Sequence, residues 1–264
     1  MRPTPVPRRL GDLLPQATTA VAETPVTGVC LDSRAVQPGD LYAALPGRTT
    51  HGARFAGAAV AAGACAVLTD EQGAQLIVDL PGPVVPVVVV DDPRALLGGL
   101  AARAYGRPAD RLQVIGVTGT NGKTTVAAMV DAGLRAGGRT TGVIGTVGIR
   151  IADELHPGVR TTPEATDLHA TLAVMEEAGV DSVVMEVSSI AVREGRVDGL
   201  VLDICAFTNL SQDHLDYHGT MEAYFAAKAD LFTPERARRG IVGVDDEWGD
   251  RKSTRLNSSH GYIS

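Results

Sequence analysis

The stretch Val114-Ile-Gly-Val-Thr-Gly-Thr-Asn-Gly-Lys-Thr-Thr125 decides the reading of this chain. An apolar run (Val114, Ile115, Val117) gives way to glycines and small residues, then to a lysine, two threonines and the helix-like segment 126–134. That is the order of a strand, a phosphate-cradling loop and a helix. Glycines let backbone N–H groups close around phosphate oxygens, and a helix N-terminus adds partial positive charge. Lys123 is expected to reach the β- and γ-phosphates of a nucleotide, and Thr124 to offer its hydroxyl to Mg²⁺. Gly119, Thr120, Asn121, Gly122 and Thr125 complete the expected cradle. The loop is shorter than the common phosphate loop, which places a glycine where Val117 stands. The plainer alternative is a glycine-rich strand-to-helix turn with an exposed lysine.

The bulk properties frame this loop. At 264 residues the chain has room for two domains. It is 44% hydrophobic, 4% aromatic and holds 30 glycines, as an Ala/Val/Gly-rich α/β protein with a buried sheet would. A net charge of −7 argues against a nucleic-acid or anionic-membrane binder. Cys30, Cys65 and Cys205 lie far apart without metal spacing and read as reduced core thiols of a cytoplasmic protein. The N-terminal residues show no apolar signal-peptide core, and no run approaches the roughly 18 apolar residues of a membrane span. Of 24 basic residues only Lys123, Lys228 and Lys252 are lysine. Where lysine persists against such a bias, a compact ammonium or a modifiable amine is called for, which marks Lys228.

Residues 1–25, rich in Pro, Thr and Ala, read as a loose lead-in with a short helix near Leu10–Leu14. Residues 26–106 read as a small N-terminal α/β domain. Within it the run Val84–Val90 reads as a strand buried on both faces, and Asp92-Pro93 opens a helix. Gly106-Arg-Pro-Ala-Asp-Arg111 breaks the pattern and marks the domain boundary. From 112 to 249 strand and helix alternate, which predicts a doubly wound, mostly parallel central domain, incomplete at its end. Thr162-Pro163-Glu164 reads as a helix start with Thr162 as N-cap. The last stretch, 250–264, concentrates serine, lacks alanine and is expected to be a non-native tail.

A second constellation follows the loop. Glu186 closes the apolar strand Val183-Val-Met-Glu186, and ligands gather at the carboxyl ends of parallel strands. Taken alone, it is equally a solvated carboxylate. The segment Phe207-Thr-Asn-Leu-Ser-Gln-Asp-His-Leu-Asp-Tyr-His218 carries Asp213, His214, Asp216 and His218, in either a polar loop or a metal or phosphate site. Histidine is an unusual ligand for Mg²⁺. Then comes Tyr224-Phe-Ala-Ala-Lys228.

The ordered set resembles the Mur ligase family, which joins an amine to a carboxylate using ATP. The segments that carry it are 119–125, Thr161-Thr-Pro-Glu164, Met185-Glu-Val-Ser-Ser189, 207–218 and Ala226-Ala-Lys228. Leu31-Asp-Ser-Arg34 and Gly39-Asp-Leu-Tyr42 resemble the UDP-binding domain of those members that extend UDP-N-acetylmuramoyl-L-Ala-D-Glu by a third residue, diaminopimelate or lysine. The resemblance covers residues 8–249 and implies an acyl phosphate mechanism in peptidoglycan synthesis. It implies two Mg²⁺ sites, with Thr124 and Glu186 at one, and His214 and Lys228 at the other, Lys228 carrying a CO₂-derived carbamate. Lys123, Lys228 and His214 are its catalytic residues. Leu31, Ser33, Arg48, Thr49 and Thr50 map to the UDP end, and Thr161, Thr162, Ser188, Glu194 and Arg196 to the sugar–peptide end. Arg160, Ile190, Glu194 and His51 depart from the common family residues. The amine-selecting C-terminal domain of the family has no counterpart in these 264 residues, so the chain is expected to be an inactive monomer when alone. Other expectations weighed are a folylpolyglutamate synthase-like relative, and a non-catalytic nucleotide-binding module, which would not need a second metal site.

Overall fold

The computed structural model describes residues 1–78, 85–243 and 248. The expected tail at 250–264 and Val84 lie outside them. The chain divides into two units. One holds Met1–Arg107 with Ala165–Val174, and the other holds Pro108–Glu164 with the chain from Met175 onward. The division therefore runs through a helix of the central region and not only through the Gly106–Arg111 break.

In the first unit, β1 (Arg8–Arg9) leads into α1 (Leu10–Leu13), and β1 pairs antiparallel with β2 (Pro25–Val26). Then come β3 (Gly28–Cys30), β4 (Asp40–Ala43), a 3-10 turn at Gly52–Phe55, α2 (Ala56–Ala61), β5 (Ala66–Thr69), α3 (Glu71–Val78), β6 (Val87–Val89) and α4 (Pro93–Ala104). Strands β3 to β6 form a parallel four-stranded sheet in sequence order. Asp92 caps α4 by accepting from the Ala95 N–H, with proline in the first turn.

Two expectations change here. The lead-in is not loose: Leu10, Leu13 and Leu14 are fully buried in the core with Val29, Leu41, Leu68 and Leu100. Their i, i+3, i+4 spacing gives a single-turn helix one apolar face, and burial outweighs the Pro/Thr-rich composition around it. Nor is the valine run buried on both faces. β6 is the sheet edge, and Val87 and Val89 are 37% and 41% exposed while Val88 points inward.

The second unit holds β7 (Gln113–Thr118), α5 (Lys123–Ala136), β8 (Thr141–Gly145), β9 (Gly148–Ile151), β10 (Glu154–His156), β11 (Ser182–Glu186), α7 (Ser189–Arg193), β12 (Ile204–Phe207), α8 (Leu215–His218), α9 (Met221–Ala229) and β13 (Gly240–Val242); the helix that both units share is α6 (Ala165–Glu177). Its seven-stranded sheet runs β10-β9-β8-β11-β7-β12-β13. The strands from β8 to β13 in that order are parallel, and β9 and β10 add an antiparallel hairpin edge. The chain is thus the expected α/β protein with a mostly parallel central sheet. No helix among the described residues is long and apolar enough to cross a membrane.

The register sets the site. Glu186 pairs with Val117 on one side of β7, and Phe207 pairs with Thr118 on the other. The carboxyl ends of β11, β7 and β12 therefore finish together, where open parallel sheets collect ligands.

Leu13→Ala is expected to destabilise the first unit by about 2–5 kcal/mol, as for a buried core leucine. Urea denaturation checks this; a change below about 0.5 kcal/mol, the surface range, returns residues 1–25 to a lead-in.

Candidate active site

The loop after β7 is braced by the loop after β12. The Thr120 N–H donates to the Asn209 carbonyl (2.9 Å) and the Asn121 N–H to Asn209 Oδ1 (3.1 Å). Thr208 Oγ1 donates to the Asn121 carbonyl at 2.7 Å. Thr120 Oγ1 accepts from the Ser211 N–H at 3.0 Å and lies 3.1 Å from the Ser211 carbonyl and from the Tyr224 hydroxyl. Gly119 makes this approach feasible: its φ is +147°, and a Cβ there would sit 1.9 Å from Thr208 Oγ1. Helix α5 begins at Lys123, and its N-cap, Gly122 (φ +82°), offers no side-chain cap. Its first-turn N–H groups lack intrahelical acceptors and face a potential anion.

Two ammonium groups share one acceptor. Lys123 Nζ donates to the carbonyls of Gly119 (3.0 Å) and Thr120 (2.9 Å), and Lys228 Nζ donates to the same Gly119 carbonyl at 2.8 Å. Lys228 is 1% exposed and lies 4.5 Å above the centre of the Tyr224 ring. Burial, then the charge of Lys123, pushes its pKa down to about 7, against a weaker opposing pull from Asp213. Burial also lowers the pKa of Lys123, while Glu186 and Asp213 pull it up. The alternative of a turn with an exposed lysine does not hold, since both ammonium groups are turned inward.

Glu186 is 2% exposed. Its Oε2 accepts from Thr124 Oγ1 at 3.0 Å and from Thr146 Oγ1 at 3.2 Å, and its Oε1 accepts from the Thr146 N–H at 2.9 Å. The alternative of a solvated strand-end carboxylate is excluded. Gly145, at the end of β8, leaves room for this carboxylate: a Cβ there would meet Glu186 Oε1 at 2.3 Å. The hydroxyl of Thr124 with the buried carboxylate is an all-oxygen pair beside the phosphate loop, the donor chemistry that Mg²⁺ takes. Lys228 does not fit Mg²⁺ as a free amine. It fits only on gaining oxygen donors. No group of three or more His, Cys, Asp or Glu side chains suited to a metal occurs among the described residues. His214 is exposed, has φ +52°, and sits with its ring 6.2 Å from that of Tyr224. His218 lies 5.1 Å from the same ring and 2.9 Å from Ser189 Oγ, and burial leads the causes that lower its pKa.

The remaining expected residues fall in two groups. In the first unit Leu31 and Ser33 are half-buried, and Arg48, Thr49 and Thr50 are exposed on a loop closed by the Pro46–His51 bridge. In the second unit Arg196, 8% exposed, lies 3.1 Å from Glu164 and also pairs with Glu194. Thr161 and Thr146 share a hydroxyl contact of 3.1 Å. Thr125 is exposed on α5. Thr162 is not the cap of α6, which begins at Ala165. Its hydroxyl instead donates to the Glu186 carbonyl (2.9 Å) and accepts from the Ser188 N–H (3.1 Å), a long-range pairing that wins over the local cap. Ser188 caps α7 through the Ala191 N–H. Sequence reading passed over Thr146, Thr208, Ser211 and Tyr224. Thr208 and Ser211 follow a parallel strand and were open to the rule that singled out Glu186, whereas nothing local marks Thr146.

This geometry has known counterparts. Residues 117–263 match the Mur ligase middle domain, and residues 25–105 match the Mur ligase family catalytic domain. The chain belongs to the Mur ligase family. It is 56% identical over 235 residues to the UDP-N-acetylmuramoyl-L-alanyl-D-glutamate--2,6-diaminopimelate ligase of Streptomyces avermitilis, covering 89% of this chain and 46% of that protein. It is 44% identical over 246 residues to the like-named ligase of Pseudomonas aeruginosa, covering 93% of this chain and 49% of that protein. The chain thus spans about half the length of the curated relatives it matches. A solved ligase of the same name superposes with a TM-score of 0.80 at 30% identity, covering 98% of this chain and 52% of that one. MurF from Acinetobacter baumannii shares the fold, with a TM-score of 0.66 at 19% identity and coverage of 98% and 53%.

In this Mur ligase chain the depressed Lys228 pKa has a defined sign. The folded value, about 7, lies below the ordinary 10.5, so the unfolded state binds more protons between them. Relative to Lys228→Met, the wild type is expected to gain stability as pH rises from about 7 to about 10.5. Denaturant titrations of both proteins across this window check it; a constant difference contradicts it.

Proposed function

We propose that the chain carries the UDP-sugar-binding and ATP-binding units of an ATP-dependent amide ligase of peptidoglycan synthesis. The ligase adds a diamino acid, diaminopimelate, to UDP-N-acetylmuramoyl-L-Ala-D-Glu in the cytoplasm. The observation that carries the reading is the meeting of Lys123 and Lys228 at the Gly119 carbonyl, with Thr124 hydrogen-bonded to the buried Glu186 beside them. The names of the matched relatives support the substrate.

In this reading the D-Glu side-chain carboxylate of the substrate attacks the γ-phosphorus of ATP. The P–O bond to ADP breaks and an acyl phosphate forms. The amine of the diamino acid then attacks the acyl carbon and phosphate leaves. The phosphoryl group gathers charge on its oxygens, so catalysis rests on positioned positive charge. Lys123 leaves the loop carbonyls for the β/γ-phosphate oxygens, and the first-turn N–H groups of α5 receive the remaining charge. Thr124 and Glu186 would hold Mg²⁺, which would supply charge to screen the phosphate oxygens. His214 and Lys228, the latter as a carbamate, would serve a second ion. Carbamate formation needs a neutral amine, and a lysine pKa of about 7 supplies one near neutral pH. Arginine could not be modified in this way.

For the muropeptide, Leu31, Ser33, Arg48, Thr49 and Thr50 serve the UDP end. Thr161, Glu194 and Arg196 serve the sugar–peptide end. Thr162 and Ser188 shape the turn after Glu186, because their hydroxyls are already engaged there.

Lys123→Ala is expected to weaken MgATP binding at least tenfold, roughly the value of one charge-assisted contact. Calorimetric titration checks this, and an unchanged dissociation constant overturns the assignment of the loop. With ¹³C-bicarbonate, the wild type is expected to show a carbamate carbon resonance that Lys228→Arg lacks. Equal spectra remove the carbamate role.

A further inference from the structure

Tyr224 stands at the centre of the second unit's polar side chains yet has no part in the chemistry described above. It is 1% exposed, too buried for a surface aromatic. Its hydroxyl lies 3.1 Å from Thr120 Oγ1. Thr120 has a single hydroxyl hydrogen. It accepts from the Ser211 N–H and has the Ser211 carbonyl 3.1 Å away as an acceptor, so the consistent assignment has Tyr224 donating to Thr120. The face of the same ring lies under the Lys228 ammonium at 4.5 Å. Lys228 in turn donates to the Gly119 carbonyl. One side chain thus reaches the phosphate loop by two routes, through its hydroxyl to residue 120 and through its ring and Lys228 to residue 119. Both routes start from one helix, because Tyr224 and Lys228 are four residues apart on α9. The N-cap of that helix is fixed by the Thr220 hydroxyl accepting from the Ala223 N–H.

We propose that Tyr224 is a positioning residue that presets the phosphate loop for nucleotide, its hydroxyl holding Thr120 and its ring face holding Lys228 against Gly119. This rests on the reading of Gly119–Thr125 as the ATP loop. A loop fixed before the ligand arrives loses less freedom on binding, so both routes raise affinity without touching the nucleotide. The ring route uses cation–π attraction, which acts while Lys228 is still an ammonium, before its carbamylation, and strengthens when the pair is shielded from water. The hydroxyl route is an ordinary buried hydrogen bond.

The test is MgATP affinity of the full 264-residue chain by calorimetry, with double-mutant cycles. Tyr224→Phe keeps the ring and removes the hydroxyl; it is expected to weaken binding about threefold to tenfold. That loss is expected to vanish in a Thr120→Val background. Tyr224→Leu removes both routes and is expected to weaken binding further. The additional loss over Tyr224→Phe is expected to vanish in a Lys228→Met background. Thermal unfolding of each variant separates loop positioning from general destabilisation. Affinities of Tyr224→Phe and Tyr224→Leu equal to wild type overturn the proposal. So do losses that persist undiminished in both backgrounds, because Tyr224 then acts by some other route. A wild type that does not bind MgATP overturns the reading of the loop itself, and the proposal with it.

Discussion

The missing side chain at residue 119 is the constraint on which the site depends. A Cβ there would clash with the Thr208 hydroxyl at 1.9 Å. Without it, the loop after β7 presses against the loop after β12, and Asn209 takes up the N–H groups of Thr120 and Asn121. Those two donors are then not available to an anion. The donors left to face a phosphate begin at the uncapped start of α5, together with Lys123. This accounts for the short spacing of the motif. The usual phosphate loop wraps its ligand with extra residues of its own, whereas here the neighbouring strand's loop supplies the brace. The same close approach turns the Gly119 carbonyl toward both lysines and so fixes where positive charge collects.

Much of this was legible in the chain itself, where local pattern and tertiary demand agree. The apolar strands that end in Thr118, Glu186 and Phe207 announce a parallel sheet, and the rule for strand carboxyl ends identifies the functional edge. Reading failed where one level overrode another. The short helix near Leu10–Leu14 was legible, but the Pro/Thr-rich composition around it hid the burial of its leucines in the core. Thr162-Pro-Glu has the pattern of a helix cap, but its hydroxyl is captured by Glu186 and Ser188, 24 and 26 residues away. A valine run cannot say whether its sheet continues beyond it, and β6 is an edge. Thr146 touches Glu186 only because β8 and β11 are neighbours, a fact of topology that no short window contains.

Lysine scarcity and the phosphate-loop motif lead to the same pair of side chains, Lys123 and Lys228, whose charges have to be balanced. Two ammonium groups within hydrogen-bond reach of one oxygen repel by about 3 kcal/mol at an effective dielectric near 20. A structural core would not keep such a pair, since apolar side chains of similar volume pack there at lower cost. The pair also lies in a chain whose net charge is −7, so the local positive charge runs against the global balance. Glu186 and Asp213 pull the pKa of Lys123 upward, and Asp213 does the same for Lys228, but burial is the largest cause at both and acts the other way. Two events relieve the repulsion. A polyphosphate can draw Lys123 off the Gly119 carbonyl, or Lys228 can give up its charge. The depressed pKa of Lys228 shows which lysine gives way first, and only a lysine among the basic residues has an amine that can then be rebuilt as an oxygen ligand. Arginine at 228 would hold its charge at every accessible pH, leaving Lys123 opposed by a permanent cation.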